Sequence, residues 1–276
     1  MVSGDEGHPN LWRTAALRRA GWTRERIRRS VAAGSIVPVR RGLYASPDCD
    51  ARVIAPARHG GAPACVTAGG ILGLWVLDDG RVHVGLGRAG HRLPHAGCEC
   101  IEHWDGEVPE PGSIPSVVTV LTQIAGCRGP EAFFVTLESA VAAGRITLAQ
   151  VRAVRPHLPR DAAALIDAAR PDAGSGTESL FRLRLLPFGI PIRSQLRLGP
   201  SHRSDFLIGD RLLVEIDSRA HHDIPSARLR DLARDADAAI WDYETLRFDY
   251  AQVLHDWTTV EAAVLAKVAA GAHLRR

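Results

Sequence analysis

Lysine is almost absent from this 276-residue chain: Lys267 is the only one, and every other fixed positive side chain is arginine. That skew can come from codon usage alone, so the position of the arginines carries more information than their kind. Cysteine is sparse, five residues over the whole length. An odd, scattered set excludes a disulfide framework and predicts a thiol-reduced, cytoplasmic protein. Long apolar runs are missing too. The longest uncharged stretch, Gly60 to Leu77, only reaches the lower limit for a membrane span and contains Pro63 and five glycines, so it reads as buried turn and helix. The first six residues are polar and acidic with no apolar stretch behind them, which predicts no signal peptide and no membrane partner. What is present, 46% hydrophobic and 24% charged residues, excludes disorder, fibre and coiled coil. The length suits two or three small domains.

The formal charge of +3 is unevenly spread. Up to Pro47 there are nine arginines against three acids, a net of +6, which leaves −3 for the remainder. A basic head on a slightly acidic body points to a polyanion, most simply nucleic acid. Within the head, Leu11, Ala15, Ala16 and Leu17 recur at helical spacing. Thr23 is an N-cap for a second helix with Glu25 in its first turn, Ile27, Val31 and Ala32 as its buried stripe, and Gly34 as its C′ residue. Ile36 to Val39, the turn Arg40-Arg41-Gly42 and Leu43 to Ala45 read as a short hairpin. Together these predict a winged helix-turn-helix over residues 1–47. Arg24, Arg28 and Arg29 would enter the major groove, and Arg40 and Arg41 on the wing would meet phosphate. The plain alternative is a solvated arginine face. The segment Ala20 to Ala45, AGWTRERIRRSVAAGSIVPVRRGLYA, resembles the N-terminal winged helix of the AbiEi-type antitoxin family. That resemblance implies a DNA-binding, often autoregulatory module and raises a toxin as a partner.

Residues 48–170 read as a mixed α/β scaffold continuing that architecture. Thr67 to Leu77, Val117 to Ala125, Glu131 to Ala143 and Thr147 to Ala168 are expected helices, and Val82 to Leu86 and Cys98 to Glu102 alternate like strands. His91, His95, Cys98, Cys100 and His103 have the residue types of a zinc site. Their spacing is wrong for a knuckle, because no second cysteine pair closes a tetrahedron, and small buried cysteines are the favoured reading.

Pro171 to Gly176 is polar and glycine-rich, a linker, and the third domain is placed at residues 171–276. Thr177 is expected to cap a helix beginning at Glu178. Strands follow at Ile192 to Leu198, Asp205 to Ile208, Leu212 to Asp217 and Thr245 to Phe248, with helices at Leu229 to Ala239 and about Thr259 to Ala270. The informative residues are acids in apolar strands. Period two puts Leu213, Glu215 and Asp217 on one face of their strand, and Asp205 on the neighbouring strand points at the same place. Converging carboxylates repel and are costly to desolvate, so they need positive charge. With no lysine nearby, a hard divalent cation such as Mg²⁺ on Asp205, Glu215 and Asp217 fits. The alternative is that Arg203, Arg211 or Arg219 neutralises them.

Thr177 to Arg182, SDFLIGDRLLVEIDSRAHH (Ser204 to His222), Arg230 to Ala238 and Tyr243 to Phe248 resemble a bacterial domain related to the very-short-patch-repair (Vsr-like) endonucleases of the PD-(D/E)xK superfamily. The resemblance implies a restriction-endonuclease-like mixed sheet flanked by helices, overall an α+β or α/β fold. It makes Asp205 the first metal acid, Glu215 the second and Glu178 the acid of the leading helix. Asp217 stands at the superfamily's lysine position, and Ser218 where glycine is usual. His222 would protonate the leaving oxygen or orient water; Asp231 and Asp235 would orient the histidines and Arg234 would contact the phosphate, the equal alternative for this trio being a helix-surface ion pair. The expected function is a Mg²⁺-dependent DNA endonuclease or nickase. The alternative is a non-catalytic DNA-binding regulator or antitoxin-like protein that keeps a nuclease fold.

Overall fold

In the computed structural model, residues 9–93, 95, 97–198, 202–217 and 240–275 are described. Two units emerge from the packing, Met1–Phe133 with Ala153–Pro159, and Phe134–Arg152 with Arg160–Arg276. The architecture is mixed α+β, with three separate sheets and several helices among the described residues. Among the described residues no helix is long and apolar enough to cross a membrane.

In the first unit β1 (Leu11–Arg13) precedes α1 (Thr14–Arg19) and α2 (Arg24–Ala32). Leu11, expected in a helix, instead pairs with Ala45 across β1 and β3. The edge of β3 offers this segment hydrogen-bond partners, and the helix begins only at Thr14. The Thr23 side chain accepts from the Arg26 N–H at 3.1 Å, and Gly34 follows the helix at φ +70°, so both caps of α2 form as expected. Ile27 is buried against Leu17 and Ile36, flanked by Trp12, Trp22, Val31 and Tyr44, but Ala32 is exposed. β2 (Val37–Arg40) and β3 (Leu43–Ala45) make the hairpin, and the sheet runs β1-β3-β2. A second core joins Leu11, Val39, Leu43 and Ala45 to Val53 and Ala57. The last two lie on α3 (Ala51–His59), which is capped by Asp50.

Next come β4 (Ala62–Pro63), α4 (Cys65–Ile71), β5 (His83–Gly85) and β6 (Ile101–His103), with sheet order β4-β5-β6. α4 starts and stops earlier than expected, ending at the C-cap Leu72 with Gly73 following at φ +74°, a left-handed backbone that glycine adopts without a Cβ clash. Cys98 to Cys100 lie ahead of β6 rather than in it. α5 (Val117–Ala142) joins the two expected helices through a kink at Gly129 (φ 82°, ψ −176°). Pro130 causes it by excluding helical geometry from the residue before it. The expected helix Thr147 to Ala168 is divided into α6 (Leu148–Val154), a 3₁₀ turn and α7 (Arg160–Leu165), because Pro156 and Pro159 cannot donate to a helical ladder.

In the second unit Ser175, not Thr177, caps α8 (Gly176–Leu185), its hydroxyl accepting from the Glu178 N–H at 3.2 Å. α8 is buried nearly all round. Its Arg182 pairs with the fully buried Glu138, which also accepts from the Arg170 N–H. β7 (Ile192–Leu198), β8 (His202–Ile208), β9 (Leu212–Asp217) and β10 (Glu244–Asp249) form a sheet of order β10-β9-β8-β7. Only the β9–β10 pair is parallel. Phe181 stacks on Phe206 at 5.0 Å between ring centroids, with Phe248 and Trp257 around it. This stack is the apolar floor of one sheet face. Asp249 closes a capping box with Gln252 on helix Tyr250–His255, and helix Trp257–Ala269 follows. The expected helix Leu229 to Ala239 and the turn at residues 199–201 lie outside the described residues.

Candidate functional site

The acids singled out in the sequence share one end of the four-stranded sheet. β8 and β9 pair Leu207 with Leu213 and Phe206 with Val214. One step further Asp205 leaves the ladder pattern, and its Oδ2 accepts the Ile216 N–H at 2.8 Å. On β10, Arg247 lies beside Glu215 and Asp249 beside Asp217. The Arg247 Nε–H donates to Glu215 Oε2 at 3.0 Å. So Glu215 does have a guanidinium partner, supplied by Arg247 and not by the arginines expected from sequence. Arg211 is engaged elsewhere, with Asp242.

Glu178, in the first turn of α8, is the most enclosed of the four. It accepts from the Gly174 N–H at 2.9 Å, the Ser175 hydroxyl at 3.0 Å and the Gln195 side-chain amide. A Cβ on Gly174 would sit 2.8 Å from Glu178 Oε1 and 2.9 Å from Gln195 Nε2. The expected linker is therefore part of the cradle, and a side chain at Gly174 would push the Glu178 carboxylate and the Gln195 amide out of their present contact. Gln195 has φ +57° and stands between the β7–β8 pairs Ser194–Phe206 and Leu196–Ser204, level with Asp205. A non-glycine residue in that region stores strain, and such strain gathers at functional sites.

The electrostatics follow from this crowding. Burial pushes the Asp205 carboxyl up, the Ile216 N–H pulls it down, and the charges of Glu178, Glu215 and Asp217 push it up again, to about 7. Burial also raises Glu178, against its three hydrogen-bond donors and the nearby charge of Arg203. Asp205 thus lies within the electrostatic reach of Glu178, Glu215 and Asp217. The four do not crowd into one sphere, however. Among the described residues, the groups whose donor atoms lie within 4.8 Å of one another consist of cysteine and histidine. His222 and Asp231, with His221, Arg234, Asp235, Ser218 and Arg219, lie outside the described residues.

On the first unit, Arg24, Arg28, Arg29 and Arg41 are exposed. Arg28 pairs with Glu25 at 2.9 Å along the helix. Arg40 is not a free wing-tip charge: it is half-buried, and its Nε–H donates to the Ala57 carbonyl on α3 at 2.9 Å. The sequence reading missed Gln195 and Arg247. The alternation of β10 alone does not say which acid Arg247 faces; its parallel register with β9 does. The Cys/His constellation is split. His95, Cys98 and Cys100 group with His59, while His103 groups with Cys65, His83 and Cys127; His91 belongs to neither. No protein-family model matches this chain, and no curated protein sequence does either.

Proposed function

We propose that this is a cytoplasmic DNA-binding protein whose second unit hydrolyses phosphodiester bonds as a Mg²⁺-dependent endonuclease or nickase. In this reading the first 47 residues are a winged helix and the four-stranded sheet is the core of a restriction-endonuclease-like domain. The observation that carries it is the carboxyl of Asp205, held near neutrality by burial and by three surrounding carboxylates. An accumulation of negative charge around oxygen donors that is compensated only in part is what a hard cation relieves.

Mg²⁺ uses one or two carboxylates and keeps much of its water. Asp205 and Asp217 would hold it, because Glu215 already faces Arg247. Bound there, the ion would supply a water of lowered pKa and polarise a phosphoryl oxygen. The rest is done by the chain itself. Arg247 fixes Glu215, while Gln195 and Gly174 fix Glu178, so both acids keep their place when Asp205 loses its proton. Arg203, exposed beside Glu178, offers a guanidinium to a phosphate. Arg24, Arg28, Arg29 and Arg41 hold the duplex backbone.

A second reading, a regulator or antitoxin-like protein acting with a toxin partner, is favoured by one observation: the Arg247–Glu215 pair neutralises an acid that an active site would leave open. Plasmid nicking with Mg²⁺ separates the two. Cleavage by the wild type that is lost in Asp205→Ala supports hydrolysis. DNA retention without cleavage in either protein supports the regulator.

A further inference from the structure

Outside the acidic site, and among the described residues, cysteine and histidine side chains gather in two groups around the β4-β5-β6 sheet. There Cys98 Sγ lies 3.1 Å from His59 Nδ1 and 3.0 Å from Cys100 Sγ, and the His59 and His95 rings meet edge-on at 5.5 Å. His95 Nε2 is buried with no hydrogen-bond partner. In the second group His83 Nδ1 lies 3.0 Å from His103 Nε2 and 3.9 Å from Cys127 Sγ. Cys65 completes it from the start of α4, at φ +48°. Zn–S bonds of about 2.3 Å and Zn–N bonds of about 2.0 Å put neighbouring tetrahedral ligands roughly 3.3–3.8 Å apart. The observed spacings lie within a few tenths of an ångström of that, except for the two thiols of the first group, which an ion would spread.

One histidine in each group is also oriented from behind. His59 Nε2 lies 2.9 Å from Glu102 Oε1, and His83 Nε2 lies 3.3 Å from both Asp79 oxygens. A carboxylate behind Nε2 holds the proton there and leaves the Nδ1 lone pair aimed into the group. Arg128 in turn holds Asp79 at 2.9 Å.

We infer that these are two closed zinc sites, His59–His95–Cys98–Cys100 and Cys65–His83–His103–Cys127. Two thiolates and two neutral imidazoles match Zn²⁺ in softness and cancel its charge, so the ion can sit in these partly buried groups. Four protein ligands leave no open position, which makes both sites structural. Their location supplies the reason. β4, β5 and β6 are only two or three residues long, too short to hold a sheet by pairing alone. His59 and Cys65 bracket β4, so one short segment is tied into both sites. Gly61 fits in that segment because a Cβ there would collide with the Gly85 carbonyl oxygen.

The test is the metal content of the full chain, purified under reducing conditions without chelator. Mass spectrometry should find two equivalents of zinc in the wild type, one each in Cys98→Ala and Cys127→Ala, and two in Cys49→Ala, whose thiol belongs to neither site. In case the variants fail to fold, Co²⁺ titration of the metal-stripped wild type provides a second measurement. Absorption bands of tetrahedral thiolate-bound cobalt should saturate at two equivalents and vanish on adding zinc. A folded wild type with neither zinc nor these bands would overturn the proposal. So would full zinc retention in both cysteine variants, or a Cys98–Cys100 disulfide in the freshly reduced protein. A single equivalent would overturn the site whose variant leaves it in place.

Discussion

The β4-β5-β6 sheet of the first unit and the four-stranded sheet of the second treat their buried polar groups in opposite ways. Around β4, β5 and β6, the acids are matched: Glu102 and Asp79 each face a histidine, and the cysteines and remaining imidazoles face one another. β8 and β9 are long and have apolar residues on both faces. Their acids are matched only in part, Glu215 by Arg247, while Asp205 is left in a field of like charge. A sheet too short to rest on its core uses its polar groups as cross-links. A sheet with a good core can tolerate a poorly balanced cluster, and such imbalance is where function tends to reside.

This contrast can be broken in several ways. The largest effect is expected from removing metal. A strong chelator in reducing buffer should abolish hydrogen-exchange protection at Val84 and Leu86, because structural zinc contributes on the order of 10 kcal/mol to such sites. Protection at Leu207 and Leu213 should survive. Arg182→Ala is the converse experiment. It strands Glu138 as an unpaired buried charge and should cost about 3–5 kcal/mol in denaturant melts of the second unit.

Asp205→Asn sharpens the comparison. The folded state raises this carboxyl from the ordinary aspartate range to about 7, so between those values the folded chain binds more protons than the unfolded one. Stability therefore falls as pH rises through that window, by up to about 4 kcal/mol less whatever water screens. An amide in place of the carboxyl does not ionise, so the variant should melt higher than wild type at pH 8 and similarly near pH 4, while nicking drops by roughly 100-fold or more. Wild-type nicking should climb as pH passes through about 7. A variant less stable at pH 8 would show that Asp205 is an ordinary structural acid. The smallest effect belongs to the arginine surface. Arg28→Ala with Arg41→Ala should weaken DNA binding and reduce the salt slope by about 2, the loss of two phosphate contacts. An unchanged slope would remove DNA from that face.

Much of the fold was legible where local chemistry is self-contained. Thr23 and Gly34 bound their helix, and the alternation of Leu212 to Asp217 placed its acids on one face. Elements held by distant partners were not legible. Leu11 looked helical because nothing in its own segment announces the edge of β3. Cys98 and Cys100 looked like small core residues because His59 is 39 positions away from the nearer of them. The acidic site was readable in its residue types. Its balance was not, because Arg247 and Gln195 reach it through strand register and an unusual backbone angle.

Within β6, Glu102 and His103 are consecutive residues that serve opposite sides of the same strand, one backing His59 and the other meeting His83. A shift of one residue would exchange them and spoil both assemblies at once. Whichever ion arrives first therefore locks the strand in place for the other. Uptake should then be cooperative, with a binding isotherm steeper than two independent sites would give.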